Sequence, residues 1–98
     1  MPHIDTSVET EYALDEPKQY KVILHNDDYT PMEFVVQILM EIFHKSSIES
    51  QQLMLQVHEQ GKAICGIYTY EIASTKVSQV TKIAKENKYP LLSTLEEA

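Results

Sequence analysis

Three β-rich apolar runs, interleaved with stretches of helical periodicity, predict an α+β domain whose helices cover one face of a small sheet. The runs are YKVILH, KAICGIYT and LLSTLEE. The helical signals are a polar residue at every fourth position from Glu33 to Lys45 and two Ser/Thr-x-x-Glu starts, at Thr30 and Ser46. Together they give the order strand, helix, helix, strand, helix, strand. Three short strands are unstable alone, so the helices must bury one face of the sheet.

The first strand carries Val22, Ile23 and Leu24, which suits a strand covered on at least one side. Thr30-Pro31-Met32-Glu33 reads as a helix start. Thr30 is the cap, Pro31 takes the first helical position where its missing N–H costs nothing, and Glu33 completes a capping box. Polar Glu33, Gln37, Glu41 and Lys45 leave an apolar face of Val35, Val36, Ile38, Leu39, Ile42 and Phe43. Ser46-Ser47-Ile48-Glu49 repeats the capping logic for a second helix, which runs to about Glu59 and is stopped by Gly61. Leu53, Met54, Leu55 and Val57 are its expected inward residues, with Met54 and His58 four apart on one side.

In the second strand Ile64 and Tyr68 are expected to alternate against Cys65 and Ile67, and Gly66 marks a bulge or a close approach. Thr69 opens the third helix, whose buried stripe is Ala73, Val77, Val80 and Ala84. Lys82, Lys85 and Lys88 suit its C-terminal dipole, Asn87 ends it, and Pro90 prevents its return. LLSTLEE closes the domain as a strand. Residues 1–19 hold five acids against one lysine without a sustained period, which predicts a disordered acidic arm before a core domain over residues 20–98.

Composition excludes several classes of function. A chain of 98 residues supports one domain, and such a domain buries roughly 60–65% of its extended-chain surface, so its core is modest. The net charge is −7, and all eight basic residues are lysines. A nucleic-acid partner needs a basic face, usually with Arg, and an anionic membrane is equally disfavoured. A cationic ligand fits better. The single Cys65 forms no internal disulfide and has no basic neighbour in sequence, so it reads as buried and inert in a reducing cytoplasm. No apolar run approaches the ~20 residues that span a bilayer, and the N-terminus has no signal-peptide pattern.

The densest chemistry lies in His25-Asn26-Asp27-Asp28-Tyr29-Thr30. Acceptors ahead of a helix commonly satisfy turn and cap donors. Here, though, Thr30 and Glu33 already fill the capping roles, which leaves two adjacent carboxylates that repel unless a cation comes near. Calcium would need further acidic ligands and a glycine turn, and DxDxDG is absent. Zinc would need His or Cys at ligand spacing, and no such pair is present. Acid–base catalysis by a carboxylate pair lacks any accompanying GxSxG, HExxH or Gly-rich loop. An organic ammonium is a further candidate, beside the purely structural reading of these acceptors as turn and cap groups. Met32 and Val35 beside the acceptors, with Met54 and His58 on the second helix, would supply an adaptable apolar wall, although each Met also suits ordinary core filling.

YKVILHNDDYTPMEFVV, LMLQVHEQGKAICGIYT, EIASTKVSQV and YPLLSTLEEA together resemble the ClpS family over roughly residues 20–98. These are small adaptors that bring proteins with destabilising N-terminal residues to the ClpA-type ATPase of the ClpAP protease. The resemblance implies a two-layer sandwich of three helices on a three-stranded antiparallel sheet, no catalysis and no cofactor. It implies that Asn26, Asp27 and His58 hold the α-amino group of the substrate, with Asp28 and Thr30 meeting the adjoining backbone. It implies that Leu24, Met32, Val35, Ile38, Met54, Val57 and Leu91 line the pocket for a Leu, Phe, Tyr or Trp side chain, with Met32 closing it to β-branched residues. Glu71 and Lys76 are implied to face the N-terminal domain of the ATPase, and the acidic arm to assist delivery. Ser74 departs from the Glu that often precedes Thr-Lys in the family.

Overall fold

The computed structural model describes residues 16–98. The elements are β1 (Gln19–His25), α1 (Met32–Glu41), α2 (Ser47–Gln60), β2 (Lys62–Thr69), α3 (Tyr70–Glu86) and β3 (Leu92–Glu97). β1 is the central strand, antiparallel to β2 on one side and to β3 on the other. The expected α+β sandwich with three helices and three antiparallel strands is therefore the observed one. Most of the arm expected over residues 1–19 lies outside the described residues, and Gln19 belongs to β1.

The core forms where β1 meets the helices. Val22 and Leu24 point to the helical layer and join Val35, Ile38, Leu39, Val57, Ala73 and Val80 in one buried cluster. Alternation along the strand sends Ile23 to the other face, where it pairs with Ile64 and Thr94 and is still buried.

Four local expectations are corrected. The helix expected to reach Lys45 ends at Glu41. His44 adopts a left-handed φ of 55°, and the Lys45 N–H returns to the Leu39 carbonyl at 3.1 Å, so Ile42 and Phe43 turn into the core instead of extending the helix. The capping box at Thr30 does not form. Pro31 is the N-cap in an extended conformation with no side-chain cap bond, and the Thr30 hydroxyl turns to Asp27 instead. Leu55 is 46% exposed, because two residues of helix rotate it by about 200° from Leu53, which packs against the core.

The alternation expected in β2 also fails. Val22 pairs with Gly66 but Ile23 with Ile64, so Cys65 is an extra residue and a β-bulge. The bulge shifts the phase. Ala63 and Cys65 face the core, while Ile64 and Ile67 are both exposed. Gly66 is the close approach: a Cβ there would collide with the Tyr68 ring that folds over it.

The second and third helices follow their local signals. Ser46 caps α2 by accepting from the Glu49 N–H at 3.1 Å, and Gly61 ends it with φ 91°. In α3, Ala73, Val80 and Ala84 are buried and Val77 is half-buried. Asn87 ends α3, its side-chain amide donating to the Ile83 carbonyl at 2.9 Å.

Candidate functional site

The loop between β1 and α1 is built around one carboxylate. Asp27 Oδ1 accepts from the Tyr29 N–H at 2.8 Å and the Thr30 N–H at 2.7 Å. Its Oδ2 accepts from the Thr30 hydroxyl at 2.7 Å. Partial burial pushes the Asp27 carboxyl up, but the bonds from the Thr30 hydroxyl, Thr30 N–H and Tyr29 N–H outweigh it and hold the group below its ordinary value. The loop is anchored to α2 as well, because the Asn26 N–H donates to the Gly61 carbonyl at 2.9 Å. That bond sets the acceptor-rich turn beside the last turn of α2, which carries His58.

Between the turn, the start of α1 and the end of α2 lies a cleft of about 400 Å³. Its polar lining is Asn26, Asp27, Asp28, Thr30 and His58, and its apolar lining includes Met32, Val35, Met54 and Val57. Residues from three separated segments thus line one cleft. No hydrogen bond among the described residues engages the Asp28 carboxylate, so Asp27 builds the turn and Asp28 remains a free acceptor on the cleft. Tyr29 and Pro31 complete the lip. Neither was singled out from sequence, although an aromatic residue amid turn acceptors, here 79% exposed, is the signal that marks Tyr29.

Three expected lining residues are not on the cleft surface. Leu24, Ile38 and Leu91 are packed in the core cluster, where neighbouring side chains cover them. A second groove, of about 430 Å³, runs between α2 and β2 with Gln52, Gln56, Ile64 and Ile67 along it and Lys45 and Glu49 in its lining. Its only cation and carboxylate offset one another, and the acceptor cluster is absent from it.

Glu71 and Lys76 lie on α3, away from the cleft. Glu71 is exposed beside Tyr70, whose ring meets Tyr20 edge-on at 5.3 Å. The Lys76 ammonium is engaged internally, donating to the Ile42 carbonyl at 2.6 Å. Cys65 is 1% exposed, and burial pushes its thiol up to about 12. Among the described residues no three His, Cys, Asp or Glu side chains are grouped to hold a metal. No helix there is long and apolar enough to cross a membrane.

An acceptor-rich turn and a wall carrying Met32 and Met54 share one open cleft on a small helix-and-sheet domain. The profile of the ATP-dependent Clp protease adaptor protein ClpS matches residues 15–94. The chain belongs to the ClpS family of Clp protease adaptors, and is an adaptor, not an enzyme. It is 52% identical to the ATP-dependent Clp protease adapter protein ClpS of Syntrophus aciditrophicus over 93 residues, covering 95% of this chain and 87% of that one. Against the ClpS of Shewanella piezotolerans the identity is 53% over 96 residues, covering 98% and 92%. The structure of Agrobacterium tumefaciens ClpS2 bound to L-phenylalaninamide is similar, with a TM-score of 0.82 and 40% identity over 85% of this chain and 100% of that one.

Proposed function

We propose that the cleft holds the unblocked first residue of substrate proteins, selecting N-terminal Leu, Phe, Tyr and Trp, and that the adaptor delivers these proteins to a ClpA-type AAA+ unfoldase in the cytoplasm. The observation that carries this reading is the convergence of Asn26, Asp27, Asp28 and His58 on one cavity together with Met32, Val35, Met54 and Val57. A free α-amino group has a pKa of about 7.7–8.0, so near neutral pH it is mostly charged and offers three donors. An internal peptide N–H offers one donor and no charge. Acceptors set for the ammonium therefore reject chain interiors without reading sequence.

In this mechanism the Asn26 side-chain carbonyl, the Asp27 carboxylate and a His58 ring nitrogen accept from the ammonium. Asp27 Oδ2 takes only the Thr30 hydroxyl within the turn and so can accept a further donor. Thr30 and Asp28 border the path of the following backbone. Each charge-assisted bond contributes about 1.5–3 kcal/mol, and burying a large apolar side chain about as much again. After the cost of association, a micromolar affinity near −8 kcal/mol follows as an order of magnitude. Such binding selects and still releases. The ClpS2 relative supports the reading, since L-phenylalaninamide carries an unblocked α-amine beside a benzyl group. Glu71 and Lys76 on α3 are proposed to face the N-terminal domain of the ATPase, and residues 1–16 to act in delivery.

Titration of a peptide with N-terminal Phe against its N-acetylated twin tests the proposal. The free peptide should bind and the acetylated one should not. Equal binding of the two would support a second reading, a general interaction domain that docks the ATPase without reading N-termini.

A further inference from the structure

α1 supplies one wall of the cleft through Met32 and Val35 on its first turn, and its C-terminal end is closed locally by the Lys45 N–H on the Leu39 carbonyl and from outside by a side chain of α3. No side chain caps its N-terminus, and the turn before it is held by Asp27. Its last turn contains no basic residue, although Ile42 and Phe43 are buried there. A buried helix end leaves carbonyls that need a donor, and its partial negative charge favours a cation. Both come from α3. Lys76 Nζ donates to the Ile42 carbonyl at 2.6 Å, across 34 residues of sequence. The same ammonium lies 5.6 Å from the centroid of the Tyr68 ring, and that ring is itself seated over Gly66.

We propose that Lys76 is a positioning residue for the cleft: its ammonium clamps the C-terminal end of α1 and so sets where Met32 and Val35 stand. α1 has ten residues, about 15 Å of rigid rod, and a shift at one end is delivered to the other. The expected change in affinity rests on the N-terminus-binding reading; the clamp itself does not.

Lys76→Met keeps most of the apolar stem and removes the charge, while Lys76→Arg keeps a charged donor. With the full chain at a temperature where all three proteins are folded, the Met variant should bind an N-terminal Phe peptide about threefold to tenfold more weakly. The ratio of its Kd values for N-terminal Val and Phe peptides should narrow, and the Arg variant should restore most of both. In the unliganded protein the amide resonances of Met32 to Val35 should move in Lys76→Met and return in Lys76→Arg. A Met variant with a lowered Tm but unmoved resonances at residues 32–35 and an unchanged Val/Phe ratio overturns the proposal. If wild-type protein binds free and acetylated Phe peptides alike, the failure belongs to the N-terminus reading, and the resonances still decide for or against the clamp.

Discussion

Asp27 carries two tasks in one carboxylate. Its oxygens close the turn onto Tyr29 and Thr30, and its charge faces the cleft beside Asp28. Asp27→Ala should therefore loosen the turn, lowering stability by about 1–3 kcal/mol, and abolish binding of a free N-terminus. Because the folded carboxyl titrates below its ordinary value, its contribution to stability is complete above about pH 4 and is lost as pH falls through the lower, folded value. Melting temperatures of wild type and Asp27→Ala should thus converge in strong acid; a gap that stays constant from neutral pH down to pH about 2 would refute the linkage. Met32 stands half-exposed at the cleft. Met32→Ala should widen the cavity enough to admit N-terminal Val and Ile, read from a peptide panel by fluorescence anisotropy. If the variant still rejects both, another side chain closes the pocket.

The helices differ in how they are secured. α2 carries its own start and stop, with Ser46 bonded to the Glu49 N–H and Gly61 left-handed at its end. Ser46→Ala should cost about 1 kcal/mol, seen as a lower denaturation midpoint with an unchanged m-value, and no loss would mean that packing alone holds the first turn. α1 depends on groups outside itself at both ends, Asp27 before it and Lys76 across the fold. This contrast explains which local readings succeeded. The Ser46 hydroxyl finds both its partners on Glu49, accepting from the backbone N–H and donating to the carboxylate at 3.2 Å, so its bonds stay within the first turn of the helix. The Thr30 hydroxyl instead bonds Asp27, three residues before it, in preference to the helix. In β2 the alternating pattern failed for a related reason, since a one-residue bulge at Cys65 reverses which side chains face the core.

Across the whole molecule, the cleft exists because the short Gly61 turn brings the end of α2 back to the end of β1, where the Asn26 N–H meets the Gly61 carbonyl. The sheet behind it is sealed by buried Leu24, Ala63 and Cys65. Cys65, with its thiol pushed up to about 12 by burial, is a built-in reporter of this packing. Native protein in excess thiol reagent should be modified only as fast as core amides exchange through global opening. Faster labelling would mean that the bulged edge strand opens on its own. Leu24, Ile38 and Leu91 sit one layer behind the cavity they were expected to line, because which apolar residue is wall and which is support depends on how the layers stack.

The order of elements, the cap and stop of α2, the buried stripe of α3 and the acceptor-rich turn were all legible in the sequence, because each depends on neighbours within about four residues. Long, specific motifs carried the family. Only the tertiary structure decided that Asp27 is bonded within its own loop, that α1 stops short, and that Lys76 reaches its end. Those outcomes are competitions between partners for one proton donor or one acceptor, and the winner is chosen by distances that folding creates between segments remote in the chain.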